Sequence, residues 1–64
     1  MKIEATMSLQ ELAERMGNTA TLTEAMLMRN ALLARGLHGV DVLDVPDCVW
    51  MSCLEDATGC VGQG

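Results

Sequence analysis

The sequence predicts a small, mainly α-helical domain of three helices, and two observations lead to this prediction. The pattern S/T-x-x-E, in which a hydroxyl and a carboxylate each accept a hydrogen bond from an otherwise unpaired amide, occurs at residues 8–11 and 21–24. Each pattern is followed by apolar residues at helical spacing and then by a glycine, Gly17 or Gly36, of the kind that ends helices. Both segments therefore carry a start signal and a stop signal.

The first two predicted helices differ in how their apolar residues are arranged. Over residues 9–16 the apolar side chains share one face, with the charged side chains off it. Over residues 22–35 most sides are apolar, and the run Met26, Leu27 and Met28 is available to a partner or to a second copy of the chain. A helix of this kind is usually central in its fold or covered by another surface. We expect a monomer or a weak homodimer.

The rest of the chain predicts a third helix and leaves room for a short two-stranded pairing. Pro46 lacks an amide hydrogen and suits the first turn of a helix, which we predict over residues 46–57. Trp50 is the only aromatic residue, and we expect it in the core. Residues 2–7 alternate polar and apolar side chains, as a strand does, and residues 40–45 are a candidate extended segment to pair with them.

The chain length allows one domain. The 64 residues include a helical region, which we assign as a single small domain over residues 1–57. Residues 58–64 contain three glycines and are predicted to form a flexible tail. A domain of this size hides only about 60% of its unfolded surface, so its core must be thin.

The net charge of −5 is confined to the second half of the chain. Residues 1–35 are neutral, whereas residues 36–64 contain no Lys or Arg. Such a surface attracts basic surfaces and repels phosphate, which disfavours direct nucleic-acid binding. An ordinary solvated surface is the competing interpretation. We predict that the carboxylates of this half bind a partner: Asp41, Asp44, Asp47, Glu55 and Asp56.

No catalytic or metal site is predicted, and we expect no cofactor and no enzyme activity. Cys48 and Cys53 are five residues apart, about 140° around a helix, which is poor spacing for zinc. The cysteines, including Cys60, are expected to be buried and inert. His38 has no neighbouring pattern that would make it a catalytic base. The absence of a signal peptide and of a long apolar run leads us to expect a cytoplasmic protein without a membrane segment.

Two alternatives of other classes remain open. Residues 9–17 resemble the first helix and turn of a helix-turn-helix, which would make the protein a small transcriptional regulator. The next helix, however, offers only Arg29 and Arg35 as basic residues. The second alternative is an antitoxin-like protein that neutralises a basic partner.

Several segments within about residues 1–57 form a pattern through their order and spacing: Met1-Lys2-Ile3, Glu11-Leu12-Ala13-Glu14 with Met16-Gly17, Leu32-Leu33-Ala34-Arg35, Val42 to Asp44, and Trp50 with Leu54, Glu55 and Asp56. This pattern resembles small phage-encoded anti-CRISPR proteins of the type I group, closest to the type I-E kind.

The resemblance implies a partner and a place of action. Relatives disable the type I surveillance complex, Cascade, in the cytoplasm of the host bacterium. The acidic second half fits inhibitors that block target-DNA binding, because a DNA channel is basic. The resemblance therefore implies binding to the DNA- or PAM-recognising large subunit, with carboxylates acting as a local DNA mimic.

Overall fold

The computed structural model describes residues 1–17 and 20–59. In this part of the chain three α-helices and two shorter turns of helix follow one another, and no strand is formed. The predicted mainly α class is confirmed. The elements are α1 (Leu9–Met16), α2 (Leu22–Ala34), a 3₁₀ turn (Val42–Asp44), α3 (Asp47–Leu54) and a π-helical turn (Glu55–Gly59).

The two predicted capping patterns are realised to different degrees. At α2 the pattern is complete: the Thr21 amide donates to Glu24 Oε1 at 2.9 Å, and the Glu24 amide donates to Thr21 Oγ1 at 3.1 Å. At α1 only one half forms, in which the Glu11 amide donates to Ser8 Oγ at 3.3 Å. Ser8 nevertheless satisfies one of the unpaired amides that start α1, so both helices begin where the sequence predicts.

Glycine ends α2 as predicted. Gly36 has a φ of +78°, in the left-handed region that costs glycine little. Its amide donates to the Leu33 carbonyl at 3.0 Å, and the Leu37 amide donates to the Leu32 carbonyl at 3.3 Å. This pair of bonds is the Schellman arrangement, which satisfies carbonyls that the helix leaves unpaired.

Gly17 ends α1 by a different route. Its φ of 139° and ψ of 157° lie outside the left-handed helical region that the sequence suggests and inside an extended region that only glycine adopts readily. The chain therefore leaves α1 extended at Gly17, and residues 18 and 19 lie outside the described part.

The predicted pairing of residues 2–7 with 40–45 shrinks to one antiparallel bridge between Lys2 and Asp41. Three backbone bonds surround it, from Ile3 to Val40 (2.9 Å), from Gly39 to Ile3 (2.8 Å) and from Val42 to Met1 (2.8 Å).

Local turns on both sides stop this pairing from extending into a strand. The Met7 amide bonds back to the Glu4 carbonyl at 3.1 Å and closes a turn. On the other side, the Asp41 side chain accepts from the Leu43 amide at 2.9 Å and starts the 3₁₀ turn. The strand pair for which the sequence left room therefore goes no further than this bridge in the described part of the chain, because these local bonds use groups that a ladder would need.

The core is aliphatic, and Trp50 is at its edge. We expected Trp50 in the core, but it is only half-buried. The core positions on this side of the domain are taken by Cys53 of α3 and Ala57 of the π-helical turn. The buried residues come from every element: Ile3, Met7, Leu12, Ala13, Ala25, Met28, Leu32, Val42, Val45, Cys53 and Ala57.

The central helix α2 is divided into an inward and an outward side. Ala25, Met28 and Leu32 are completely buried, whereas Met26 and Leu27 are 39% and 40% exposed. Met28 therefore belongs to the core and is separated from the two residues with which the sequence groups it. The division follows the helical period, which places positions 25, 28 and 32 on one side.

The last helical segment reaches slightly beyond the predicted domain boundary at residue 57. α3 begins at Asp47 with Pro46 before it, and the π-helical turn runs to Gly59. Residues 60–64 of the predicted 58–64 tail lie outside the described part. No helix in the described ranges is long and apolar enough to span a membrane.

Truncation of Met28 and of Met26 should show, through the loss of stability, that only Met28 is a core residue. We expect Met28→Ala to lower the free energy of unfolding by about 2–5 kcal/mol, because it leaves a cavity in a packed core. We expect Met26→Ala to change it by less than about 0.5 kcal/mol, as exposed substitutions usually do. Urea denaturation followed by circular dichroism measures both. Met28→Leu is the control that keeps the volume, and equal losses at positions 26 and 28 would contradict the assigned core.

Candidate interaction site

The five carboxylates predicted to bind a partner fall into two groups. Asp41 and Asp56 contact cations of their own chain. The other three, Asp44, Asp47 and Glu55, are exposed and form no ion pair within the described residues. Within the described part of the chain, only this second group presents carboxylates that are not held in an ion pair.

Asp41 is held by the fold. Its carboxylate caps the 3₁₀ turn through the Leu43 amide, and Oδ2 lies 3.4 Å from the amino group of Met1. The Leu43 hydrogen bond is the main reason that the pKa of Asp41 lies below its usual value. Desolvation opposes this lowering, while the Met1 amino group and the Arg15 guanidinium add to it. These contacts give Asp41 a structural role.

Asp56 pairs with a base that is distant in sequence. Arg35 Nη2 lies 3.8 Å from Asp56 Oδ2 and donates to Ser52 Oγ at 2.7 Å. The Arg35 guanidinium thus joins the end of α2 to α3 through Ser52 and to the π-helical turn through Asp56. It also lies near Cys53, whose pKa is raised by burial despite this positive charge.

A row that runs along α3 to the first residue of the π-helical turn carries two of the remaining carboxylates. Asp47, Met51 and Glu55 follow one another at intervals of four, so they lie along one side of the helix over about 12 Å. Met51 is 54% exposed between the two acids. Asp44 is also exposed, in the 3₁₀ turn just before this helix. We call Asp44, Asp47, Met51 and Glu55 the α3 acidic face.

A surface depression of about 250 Å³ adjoins the α3 acidic face. Leu43 at its edge is 71% exposed, and Trp50 is half-buried. Trp and Arg are among the residue types that most often dominate binding energy at protein interfaces. The depression is lined by Arg15, Val42, Leu43, Val45, Asp47 and Trp50, so Asp47 belongs to both features.

Sequence reasoning missed the contribution of Leu43 and Arg15 to this site. One signal was present: the alternation of residues 40–45 fails at Leu43 and Asp44, because a strand would place Asp44 on the apolar side. The 3₁₀ turn instead exposes both side chains while Val42 and Val45 are buried. No sequence signal indicates that Arg15 of α1 joins the same surface.

The cysteines and His38 do not form a reactive or metal-binding group in the described part of the chain. Cys53 is buried as expected, but Cys48 is exposed, because the two lie on different sides of α3. Cys60 lies outside the described residues, and His38 is exposed in the turn after α2. Within residues 1–17 and 20–59, no group of three or more His, Cys, Asp or Glu side chains is arranged to hold a metal ion.

The pH dependence of stability should reveal the role of Asp41. Its carboxylate stabilises the fold at pH values above 3.8, the ordinary value, and this contribution is lost as the pH falls through the lower folded pKa. Asp41→Asn keeps an acceptor oxygen for the Leu43 amide but has no charge. We therefore expect the stability gap between wild type and Asp41→Asn to close between about pH 5 and pH 2.

Thermal unfolding across this pH range measures the gap. Asp44→Asn is the matched control, because its carboxylate has no hydrogen-bond or ion-pair partner in the described structure. A constant gap for Asp41→Asn, or a closing gap of the same size for Asp44→Asn, would contradict the role assigned to Asp41.

The chain was compared with known proteins. No protein-family model, no curated protein and no solved structure matches it. The resemblance to anti-CRISPR proteins therefore stays a prediction.

Proposed function

We propose that this protein is a non-catalytic inhibitor that covers a basic surface on a larger protein. The observation that carries the proposal is the α3 acidic face beside an apolar depression. Asp47 and Glu55, exposed and without ion pairs in the described structure, lie on either side of Met51, and Asp47 also lines the depression with Leu43 and Trp50. Acidic groups give attraction and orientation, and apolar anchors give binding energy.

The partner that best fits the resemblance is the type I surveillance complex. In this proposal the α3 acidic face contacts a basic, DNA-binding surface of its large subunit and blocks target DNA. The protein acts in the host cytoplasm without touching nucleic acid itself. The negative charge confined to residues 36–64 supports binding to a basic, DNA-binding surface, because an acidic surface is attracted to a basic channel.

The geometry limits how far such a surface imitates DNA. Duplex DNA carries one charge per ~1.7 Å of axis, whereas Asp47 and Glu55 are separated by about 12 Å of helix. The carboxylates therefore replace a few phosphates and cannot stand in for a length of duplex. Leu43, Met51 and Trp50 must supply the remaining contact energy, which makes the proposed interface a mixed one.

The alternatives differ in how they relate to this surface. An antitoxin-like protein would use the same acidic face against a basic toxin, so only the identity of the partner separates it from the proposed inhibitor. A helix-turn-helix regulator would need basic side chains on the outward side of α2. That side shows Leu22, Met26 and Leu27 instead, which does not favour reading DNA.

Charge reversal on the α3 acidic face tests the proposed mechanism. We expect Asp44→Lys, Asp47→Lys and Glu55→Lys together to weaken inhibition of target-DNA binding by at least about tenfold, because attraction to a basic surface becomes repulsion. The measurement is a competition assay with purified surveillance complex. Wild-type binding should also weaken as salt rises, since exposed charges are screened over ~8 Å at physiological ionic strength.

The matched control is Glu4→Lys, Glu11→Lys and Glu14→Lys. These three residues are also exposed and produce the same change in net charge. Asp41 and Asp56 are left unchanged because they contact their own chain. Equal inhibition by both triple variants, each shown to be folded, would reject the acidic-face mechanism. Failure of the wild-type protein to bind the complex would reject the surveillance complex as the partner. Binding of the α3 acidic face to a basic toxin would then be the next test.

A further inference from the structure

The outward side of α2 carries no charge. Its members are uncharged at every position and, apart from half-buried Leu33, all are exposed: Leu22, Thr23, Met26, Leu27, Asn30, Leu33 and Ala34. Leu22 is 58% exposed, and with Met26 and Leu27 it forms most of the apolar area. We call these seven residues the α2 outward face.

We propose that the α2 outward face is a self-association surface, on which a second copy of this chain packs its own α2 in an antiparallel pair. A two-fold pair uses the same patch on both chains, so the patch must be complementary to itself. An uncharged face of Leu and Met meets this requirement without any counter-charge. The proposal is independent of the function proposed for the α3 acidic face.

The distribution of charge favours a second copy at this face. Each chain has a net charge of −5, so contact through an acidic surface brings like charges together. The opposite side of α2 contacts α1, α3 and the π-helical turn, so the outward face points away from the carboxylates of α3. Two copies can therefore meet along α2 with their acidic faces on the outer sides of the pair.

The two polar side chains of the face are also self-complementary. Asn30 carries an amide that both donates and accepts, and Thr23 carries a hydroxyl that does the same. Each can therefore bond to an identical group of a second chain. A carboxylate or a guanidinium cannot, because it only accepts or only donates.

A lipid surface fits this face less well. Helices that lie on membranes carry Lys and Arg beside their apolar face, and anionic lipids repel a chain with a net charge of −5. The sides of α2 next to the outward face hold Glu24 and Arg29. Glu24 caps its own helix, and Arg29 donates to the Ala5 carbonyl at 3.1 Å.

The size of the face sets the strength of the pair. α2 has 13 residues and is therefore about 20 Å long. A single helix pair of this length buries less than the ~800 Å² per partner of a standard interface. We therefore expect weak association, with a dimer that forms reversibly at concentrations on the order of 100 μM.

Sedimentation equilibrium over a range of concentrations tests the proposal on the full chain. We expect the wild type to dimerise and Met26→Glu to raise the dimer dissociation constant at least tenfold. Met51→Glu is the matched control, because it places the same charge at an exposed methionine of another helix and should leave the constant unchanged. Circular dichroism confirms that each variant is folded.

A charge-swap pair tests whether two copies meet through α2 itself. The double variants Met26→Glu with Asn30→Glu, and Met26→Lys with Asn30→Lys, should each be monomeric, because the pair brings like charges together. Their mixture should form a heterodimer. A monomeric wild type at millimolar concentration, dimerisation unaffected by Met26→Glu, or a mixture that stays monomeric would each overturn the proposal.

Discussion

One buried row on α2 holds the three helices together. Ala25, Met28 and Leu32 have no exposed surface, and α2 contacts α1, α3 and the π-helical turn. Met28 and Leu32 are two of the five largest fully buried side chains in the described part of the chain, and the core contains no aromatic residue. The other elements are therefore oriented by their contact with this row, and what remains of α2 faces outward.

A second constraint comes from the start of the chain. Ile3 is completely buried, and its amide and carbonyl both bond to the segment 39–40 at the end of the turn after α2. This attachment places the amino group of Met1 3.4 Å from Asp41, the residue that caps the 3₁₀ turn. The turn in turn buries Val42 and Val45 while it exposes Leu43 and Asp44. A structural contact in the N-terminal segment thus shapes the surface proposed to bind a partner.

The electrostatic character of that surface is a tertiary property. Along the chain the acidic half contains no base, yet Arg35 lies 3.8 Å from Asp56 and the amino group of Met1 lies 3.4 Å from Asp41. Folding therefore neutralises part of the acidic half and concentrates the uncompensated charge on the α3 acidic face. The consequence is a smaller acidic site than the sequence suggests, mixed with apolar residues that sequence charge counts do not reveal.

Local signals set where α1 and α2 begin and end, because caps and stop glycines act within a few residues. The Thr21–Glu24 pattern and Gly36 are examples, and α1 and α2 occupy the predicted ranges almost residue for residue. The sequence also determined that net charge lies in the second half. Tertiary structure decided which side of a mostly apolar helix is buried, since α2 has no strong amphipathic pattern. Contacts between distant segments buried Met28 while Met26 stayed exposed, and they placed Trp50 at the edge of the core. The same contacts paired Asp41 and Asp56 with cations of the chain and left Asp44, Asp47 and Glu55 without an ion pair in the described residues.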